Sequence, residues 1–341
     1  MDLAMWIEWI VKAVIMIAVL LTGFAYTTYM ERKLLGRFQN RYGPNRAGPR
    51  GLLQPIADAV KLIFKEELIP AQADKLVFTL APVITTVPAW IILAVVPLGV
   101  VTLFGRTIDL SIAGNLNVGI LYIAAITSIS VYGIVLAGWS SNNKYAMLGG
   151  IRSSAQMISY ELALGLSFIG PVMLAGSLAL GEIVNVQKDI GWFVIYQPIG
   201  FVIFLIAALA EINRSPFDMP EAEQELTAGY HVEYSGMKFA MFMLTEYTKM
   251  IVVSVIAATL FLGGYHIPFV TDQPWGAWLG PIGLFVKVFL LLYGIIWVRA
   301  TLPRIRYDQL MALGWKIMLP LALFNVFLTA VIILAFPGWF K

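Results

Sequence analysis

The sequence predicts an all-α polytopic membrane protein with eight transmembrane helices and one interfacial amphipathic helix. Three observations carry this. Mean hydropathy is +0.81, and charged residues make up 13% of the 341 residues, about half the usual globular share. Uncharged apolar runs of twenty or so residues recur along the chain. At 1.5 Å per residue, each is long enough to cross a hydrocarbon core of about 30 Å. The runs are also too long and unbroken for the roughly ten-residue alternation of an outer-membrane barrel.

The spans are expected at about 9–30, 76–104, 117–140, 154–180, 191–210, 237–263, 279–299 and 317–337, and four of them carry no charge between their flanks. The first follows Asp2 and Glu8 rather than a basic segment and runs on into Glu31-Arg32-Lys33. It therefore reads as a retained helix, not a cleaved signal. The whole chain, 1–341, reads as a single membrane domain. Loops 31–75, 141–153, 211–238 and 299–316 hold 17 Lys and Arg, whereas the opposite face holds Lys12, Arg106, Lys188 and Lys341. The positive-inside rule then places those four loops in the cytoplasm or a matrix and both termini outside.

Two inside segments differ from ordinary connections. Residues 31–50 carry Arg32, Lys33, Arg37, Arg41, Arg46 and Arg50 against Glu31 alone, with turns marked at Gly43-Pro44 and Gly48-Pro49. The following stretch, 51–70, places Leu52, Leu53, Ile56, Val60, Ile63 and Phe64 on one helical face and Asp58, Lys61, Lys65 and Glu66 on the other. It is too short to span and is expected to lie in the interface plane. The region 31–75 is thus a basic loop with an interfacial helix. Anionic-lipid binding and orientation alone would account for its charge, though not for its turn-rich form.

The second segment, 211–236, is an acidic loop. Residues 211–233 hold Glu211, Asp218, Glu221, Glu223, Glu225 and Glu233, with Arg214 as the only Lys or Arg. A membrane protein gains no stability from gathering so many of its 20 acids at one face. The pattern points to proton handling or to docking of a partner. Within or at the edges of the spans lie Glu161, Glu211, Glu246, Lys249 and Lys287. A charge at mid-membrane costs about 2.5–3.5 kcal/mol on insertion scales, so Glu161 and Glu246 are functional candidates. Glu246 and Lys249, three apart, share a helix face suited to pairing. Glu211 reads equally well as an exposed helix-end carboxylate. Lys287 reads as a structural partner within the bundle, and His231 as a polar loop residue. The ten Trp fit an aromatic belt and the Met-rich run 237–244 fits helix packing.

There is no cysteine, only His231 and His266, and no G-x-G. Disulfides, thiolate-held iron–sulfur clusters, Cys-type zinc sites, a haem pair and nucleotide fingerprints are thereby excluded within this chain.

Four long stretches, 31–67, 133–161, 211–247 and 299–320, resemble the H subunit (subunit 1 in mitochondria) of respiratory complex I, NADH:quinone oxidoreductase. The resemblance runs from about residue 10 to 335 and weakens at the termini and outer loops. It implies eight helices and a place where the soluble electron-transfer arm meets the proton-pumping arm. It implies no metal site and no catalytic residue within this chain. The substrate would be quinone, ubiquinone or menaquinone. NADH, FMN and iron–sulfur clusters would belong to partner subunits.

Arg32, Arg41, Asp58, Phe242 and Met243 match quinone-tunnel positions. Arg299 and Arg304 match positions at the soluble-arm interface. Glu161, Glu211 and Glu246, with Glu221, Glu223, Glu225 and Glu233 at the mouth, match an acidic proton path. Expected partners are the quinone-site soluble-arm subunits, the adjacent small membrane subunits, quinone and membrane lipids, with no nucleic acid. The expected location is the bacterial inner membrane, or the mitochondrial inner membrane for an organellar chain. The sequence also allows the equivalent subunit of a membrane-bound hydrogenase or of a cofactor-F420 or ferredoxin-linked dehydrogenase. A free-standing ion transporter is the remaining alternative.

Overall fold

The computed structural model describes residues 3–103, 106–219, 227–268, 270 and 278–336. Hydropathy and helical geometry dominate: almost every apolar run becomes a helix, and the helices bundle with their uncharged faces outward. Helix α1, Leu3–Phe38, is 36 residues long, about 54 Å at 1.5 Å per residue. It overshoots its expected span, so Arg32, Lys33 and Arg37 stand on helix rather than in a loop. A turn-rich segment then folds back, with Arg41 N donating to Gly36 O at 2.8 Å and Tyr29 Oη donating to Arg50 O at 2.8 Å.

Helix α2, Gln54–Ile63, forms inside the expected amphipathic stretch and buries none of its residues. Helix α3, Lys75–Ile91, begins at Asp74, whose carboxylate accepts from the Leu76 and Val77 amides. It runs into a 3-10 turn, Ile92–Val95, and stops before Pro97 and Gly99. The end of the helix expected at 76–104 is instead an antiparallel hairpin, β1 Val100–Leu103 paired with β2 Arg106–Asp109. The uniform hydropathy of 96–104 conceals it.

Helices α4, Gly119–Ser140, and α5, Lys144–Ala175, follow. The latter starts ten residues before its expected bound, where Asn143 caps the Tyr145 amide at 2.9 Å. It ends at Gly176, whose φ of 69° gives the left-handed cap. After α6, Leu180–Ile190, come α7, Phe193–Tyr196, and α8, Pro198–Glu211. The chain continues with α9, Gly236–Phe261, and α10, Leu279–Thr301. Helix α11, Tyr307–Ala312, passes through a π-helical stretch, Leu313–Met318, into α12, Leu319–Ala335.

Seven helices among the described residues are long and apolar enough to cross a membrane. The eighth expected span is present in two pieces, α7 and α8, because Pro198 cannot donate to continue the helix. Helix α8 alone, at 14 residues, rises about 21 Å. Helices α3, α4, α5 and α8 pack in succession; α9 packs against α3, α1 and α10; α12 lies on α5. Gly133 makes the α3–α4 contact possible, since a Cβ there would sit 2.8 Å from the Thr85 amide nitrogen.

Backbone satisfaction explains several polar side chains. Pro82 lacks an N–H, which leaves the Phe78 carbonyl without its helical donor. The Tyr234 hydroxyl supplies one at 3.2 Å and stacks its ring on Phe78 at 4.0 Å. Tyr230, Tyr234 and Phe242 complete this aromatic cluster, beside which His231 is 6% exposed. At the opposite end, Lys287 donates to the carbonyls of Leu262, Gly264 and His266 at 2.7, 2.8 and 2.6 Å and lies over the Trp192 ring at 5.2 Å. It closes the C-terminal end of α9, in keeping with a structural role.

Both contacts can be tested through stability. Lys287→Met removes the donor that these three carbonyls share and should cost on the order of 2–3 kcal/mol. It is checked as a lowered Tm of the purified assembly in detergent. Burial pushes His231 down from 6.5 to about 4, so between those values the unfolded chain binds the extra proton. Stability from this site is complete above about pH 6.5 and is lost as pH falls toward 4. The Tm of the wild type should therefore drop more steeply on acidification than that of His231→Gln.

Candidate functional site

The 211–219 turn is held against the bundle by several polar contacts, among them Asn213 Nδ2 donating to Ser153 at 3.1 Å and the Ile305 amide donating to Pro216 O at 3.2 Å. Gln156, buried on α5, donates from Nε2 to the carbonyls of Ala210 and Phe217, both at 2.8 Å. That clamp carries Arg214 inward, where it is 2% exposed. Arg214 bonds Glu31 on α1 and Glu246 on α9, the latter at 2.7 Å, with its guanidinium 4.4 Å from the Tyr247 ring centroid. Arg299, at the end of α10, bonds the other oxygen of Glu31. Arg304 pairs with Asp218 at 2.9 Å, within electrostatic reach of Glu246. Among the described residues, these ion pairs form a knot in which Glu31 joins α1 to Arg214 and Arg299 and Arg214 joins it to Glu246 of α9.

The knot is only partly visible in the sequence. Glu246 pairs with Arg214, not with Lys249 three residues on. Glu31 enters the sequence reading only as the lone acid among basic residues. Its isolation is the available signal, because a single acid facing six bases is poised to be a buried counter-charge. Glu211, which the sequence allows to be exposed, is only 6% exposed.

Deeper in the bundle lies a second polar group. Glu211 ends α8, Lys249 lies one turn below Glu246 on α9, and Glu161 comes from α5. Lys249 donates to Ser130 at 2.8 Å, and Ser128 donates to Glu161, both serines belonging to α4. Four helices therefore meet here. A cavity of about 20 Å³ lies between them, lined by Glu211, Lys249, Ser130 and Thr127 among apolar side chains.

The remaining candidates are distributed around this axis. Glu233 accepts from Asn143 Nδ2 at 2.6 Å, which ties the acidic loop to the start of α5. Glu221, Glu223 and Glu225 lie outside the described residues. Arg32 pairs with Asp58 at 2.6 Å, linking the end of α1 to α2, and Gln54 also donates to Asp58 at 3.2 Å. Arg41 is exposed and bonds Gln39 at 2.7 Å. Phe242 is 3% exposed within the aromatic cluster, and Met243 is half-buried on α9. The apolar face of α2 is open, with Ile56 60% and Phe64 84% exposed. Arg299 and Arg304 are both committed to the ion pairs above. No group of three or more His, Cys, Asp or Glu suited to a metal ion occurs among the described residues.

Comparison with known proteins bears on what this arrangement belongs to. A family model described as NADH dehydrogenase matches residues 11–330. An H subunit of NADH-quinone oxidoreductase from Geobacter sulfurreducens is 51% identical over 339 residues, 96% of this chain and 95% of that protein. The corresponding H subunit from Syntrophobacter fumaroxidans is 53% identical over 321 residues, 94% of each. That from Deinococcus deserti is 53% identical over 339 residues, 97% of this chain and 85% of that protein. With matches spanning nearly its whole length, the chain belongs to the NADH dehydrogenase family, the family of the NADH-quinone oxidoreductase H subunits.

Proposed function

We propose that this chain is the membrane subunit of a proton-translocating NADH:quinone oxidoreductase. In this reading it forms the quinone access tunnel with soluble-arm subunits and couples quinone reduction to pumping through buried acids. The observation that carries the reading is the Arg214 knot. Arg32 and Glu31 are neighbours on the inner end of α1. One pairs with Asp58 of α2 and the other with Arg214 and Arg299. A change of charge beside the Arg32–Asp58 pair is therefore one residue from the ionic chain that reaches Glu246.

The magnitude is sufficient. Two unit charges 4 Å apart interact by about 4 kcal/mol at an effective dielectric of 20, and about 1.4 kcal/mol moves a protonation equilibrium tenfold. The open apolar face of α2 suits a long isoprenoid tail sliding in from the bilayer. Electrons reach the quinone from partner subunits that hold the flavin and iron–sulfur clusters. The shared name of the relatives favours this assembly over a hydrogenase-type or F420-linked one. The complex would sit in the bacterial inner membrane, with the acidic loop 211–236 and the basic region 31–75 facing the cytoplasm and the soluble arm.

Glu246→Gln removes the titratable group and keeps the shape. Quinone reduction and pumping should fall together by roughly tenfold, which corresponds to ~1.4 kcal/mol of barrier, while the complex still assembles. Both are read in inverted vesicles supplied with NADH. Full activity with normal pumping would reduce Glu246 to a structural partner of Arg214.

Arg41→Ala tests the quinone route separately. It should raise the apparent KM for quinone or lower kcat, while NADH oxidation by a hydrophilic artificial acceptor, per assembled complex, stays unchanged. If the basic segment serves only lipid binding, the variant would assemble poorly and show normal quinone kinetics per complex.

A further inference from the structure

Helix α11 does not run into α12 as a regular helix. Leu313–Met318 form a π-helical turn, closed by the Leu319 amide donating to Gly314 O, five residues back. Such a turn holds one residue more than an α turn, and single π turns inside α-helices recur at functional sites. Both flanks of the turn are fixed. On the outer side, Asn325 of α12 donates to Gln197 at 3.0 Å, and Gln197 donates to Thr329 at 2.6 Å. On the inner side, the Ile305 amide donates to Pro216 O at 3.2 Å and Arg304 pairs with Asp218. The chain entering α11 therefore rests on the 211–219 turn, and the surplus residue is stored between two anchored ends.

The wide turn is held from α5. Tyr160 is fully buried and donates from its hydroxyl to Leu310 O at 2.9 Å. Its ring lies against the Gly314 backbone, where a Cβ would come within 3.4 Å of it. Trp315 donates from Nε1 to Ser159 Oγ at 3.1 Å, and Ser159 gives its own proton to Ala155 O at 2.6 Å. The Tyr160 ring also meets Phe217 of the 211–219 turn, with centroids 5.6 Å apart. Glu161 is the next residue of α5.

We propose that Leu313–Met318 is a movable wide turn, latched by Tyr160 and Ser159, that relays displacement of the 211–219 turn and the 302–306 loop to the Glu161 segment of α5. With both flanks fixed, the surplus residue stays in the helix, but the wide turn can pass along it. Each residue passed advances by about 1.5 Å and rotates by about 100°, while the flanks keep their places. Passage toward the inner end carries Leu310 O away from Tyr160 and Trp315 away from Ser159. The inference rests on the acid-path reading above and gives that path a mechanical input.

Hydrogen exchange of the intact complex in detergent tests it, at rest and while turning over with NADH and quinone. The peptide covering 313–319 should exchange several-fold faster during turnover, while 325–333, on the anchored outer flank, stays unchanged. Tyr160→Phe removes only the latching hydroxyl and should raise resting exchange of the same peptide by roughly fivefold, the equilibrium weight of one hydrogen bond. Deletion of Lys316, an exposed residue of the turn, removes the surplus residue and keeps Gly314 and Trp315 in register with Leu310. Exchange should then be slow in both conditions. Coupled quinone reduction and pumping per assembled complex should fall several-fold, with the artificial-acceptor reaction unchanged.

Equal exchange of the 313–319 peptide at rest and during turnover in the wild type would overturn the proposal, as would full coupled turnover in the Lys316 deletion. If the deletion prevents assembly, the wild type and Tyr160→Phe decide. Turnover-dependent exchange with a raised resting rate in Tyr160→Phe supports the latch, and an unchanged resting rate overturns it. Glu246→Gln separates the two levels of the argument. If it is impaired while the wide turn is silent, only this inference fails. If it is also fully active, the acid-path reading fails with it.

Discussion

The fold of the inner half depends on one buried guanidinium. Arg214 is 2% exposed and holds Glu31 and Glu246 from two different helices. Removing one partner of such a set costs about 3–5 kcal/mol, because the remaining charges are left uncompensated away from water. The set therefore behaves as a unit. The 211–219 turn brings Arg214 between α1 and α9, and Gln156, Ser153 and Ile305 bond the turn in place. Packing and charge placement are in this way the same constraint. Helix α1 shows it best: its spanning face is largely exposed, and its inner end is fixed by Glu31.

The outer half answers to a different rule, that backbone groups away from water need partners. Lys287 spends its charge on three carbonyls of one helix end. Gln187 accepts from the Phe193 and Gly263 amides and donates to Thr259 O. Gln197, at the break between α7 and α8, donates to Thr329 and accepts from Asn325. These are neutral or locally saturated arrangements. The contrast sorts the two lysines of the spans: Lys287 is consumed by backbone, whereas Lys249 donates to the Ser130 hydroxyl of a neighbouring helix.

The spans, the amphipathic helix and the clustering of acids are legible in the sequence because each is written in local hydropathy and charge. Helix ends are less legible. The 76–104 run hides a hairpin, since strand and helix draw on the same apolar residues when no period separates them. The break at Gln197-Pro198 is visible as a proline but not as an interruption of the span. For the site, Glu161, Glu211 and Glu246 stand out through the cost of placing acids in a membrane, while their partners do not. Arg214 lies 183 residues from Glu31 and Arg299 lies 268 from it, and no local pattern encodes contacts of that separation. Ser128 and Ser130 are silent for another reason: a serine in a spanning helix usually bonds its own backbone, and only the neighbouring helices reveal that these two serve a carboxylate and an ammonium.

A proton path needs groups that titrate and groups that do not. Arginines keep their charge at any working pH, so Arg214 and Arg299 provide a fixed positive frame around Glu31 and Glu246. Glutamates and lysine can change state within that frame. Glu246 lies at the boundary, bonded to the fixed set on one side and a helical turn from Lys249 on the other. A charge arriving near Arg32 and Asp58 cannot alter the arginines chemically. In the proposed path it would shift them or change the field they set, and Glu31 and Glu246, the carboxylates bonded to Arg214, would feel that change. Glu246 and Arg214 are opposite in sign and 2.7 Å apart, so the carboxylate on α9 has a fixed counter-charge beside it. Such pairing is what makes a buried carboxylate tolerable in a low-dielectric bundle.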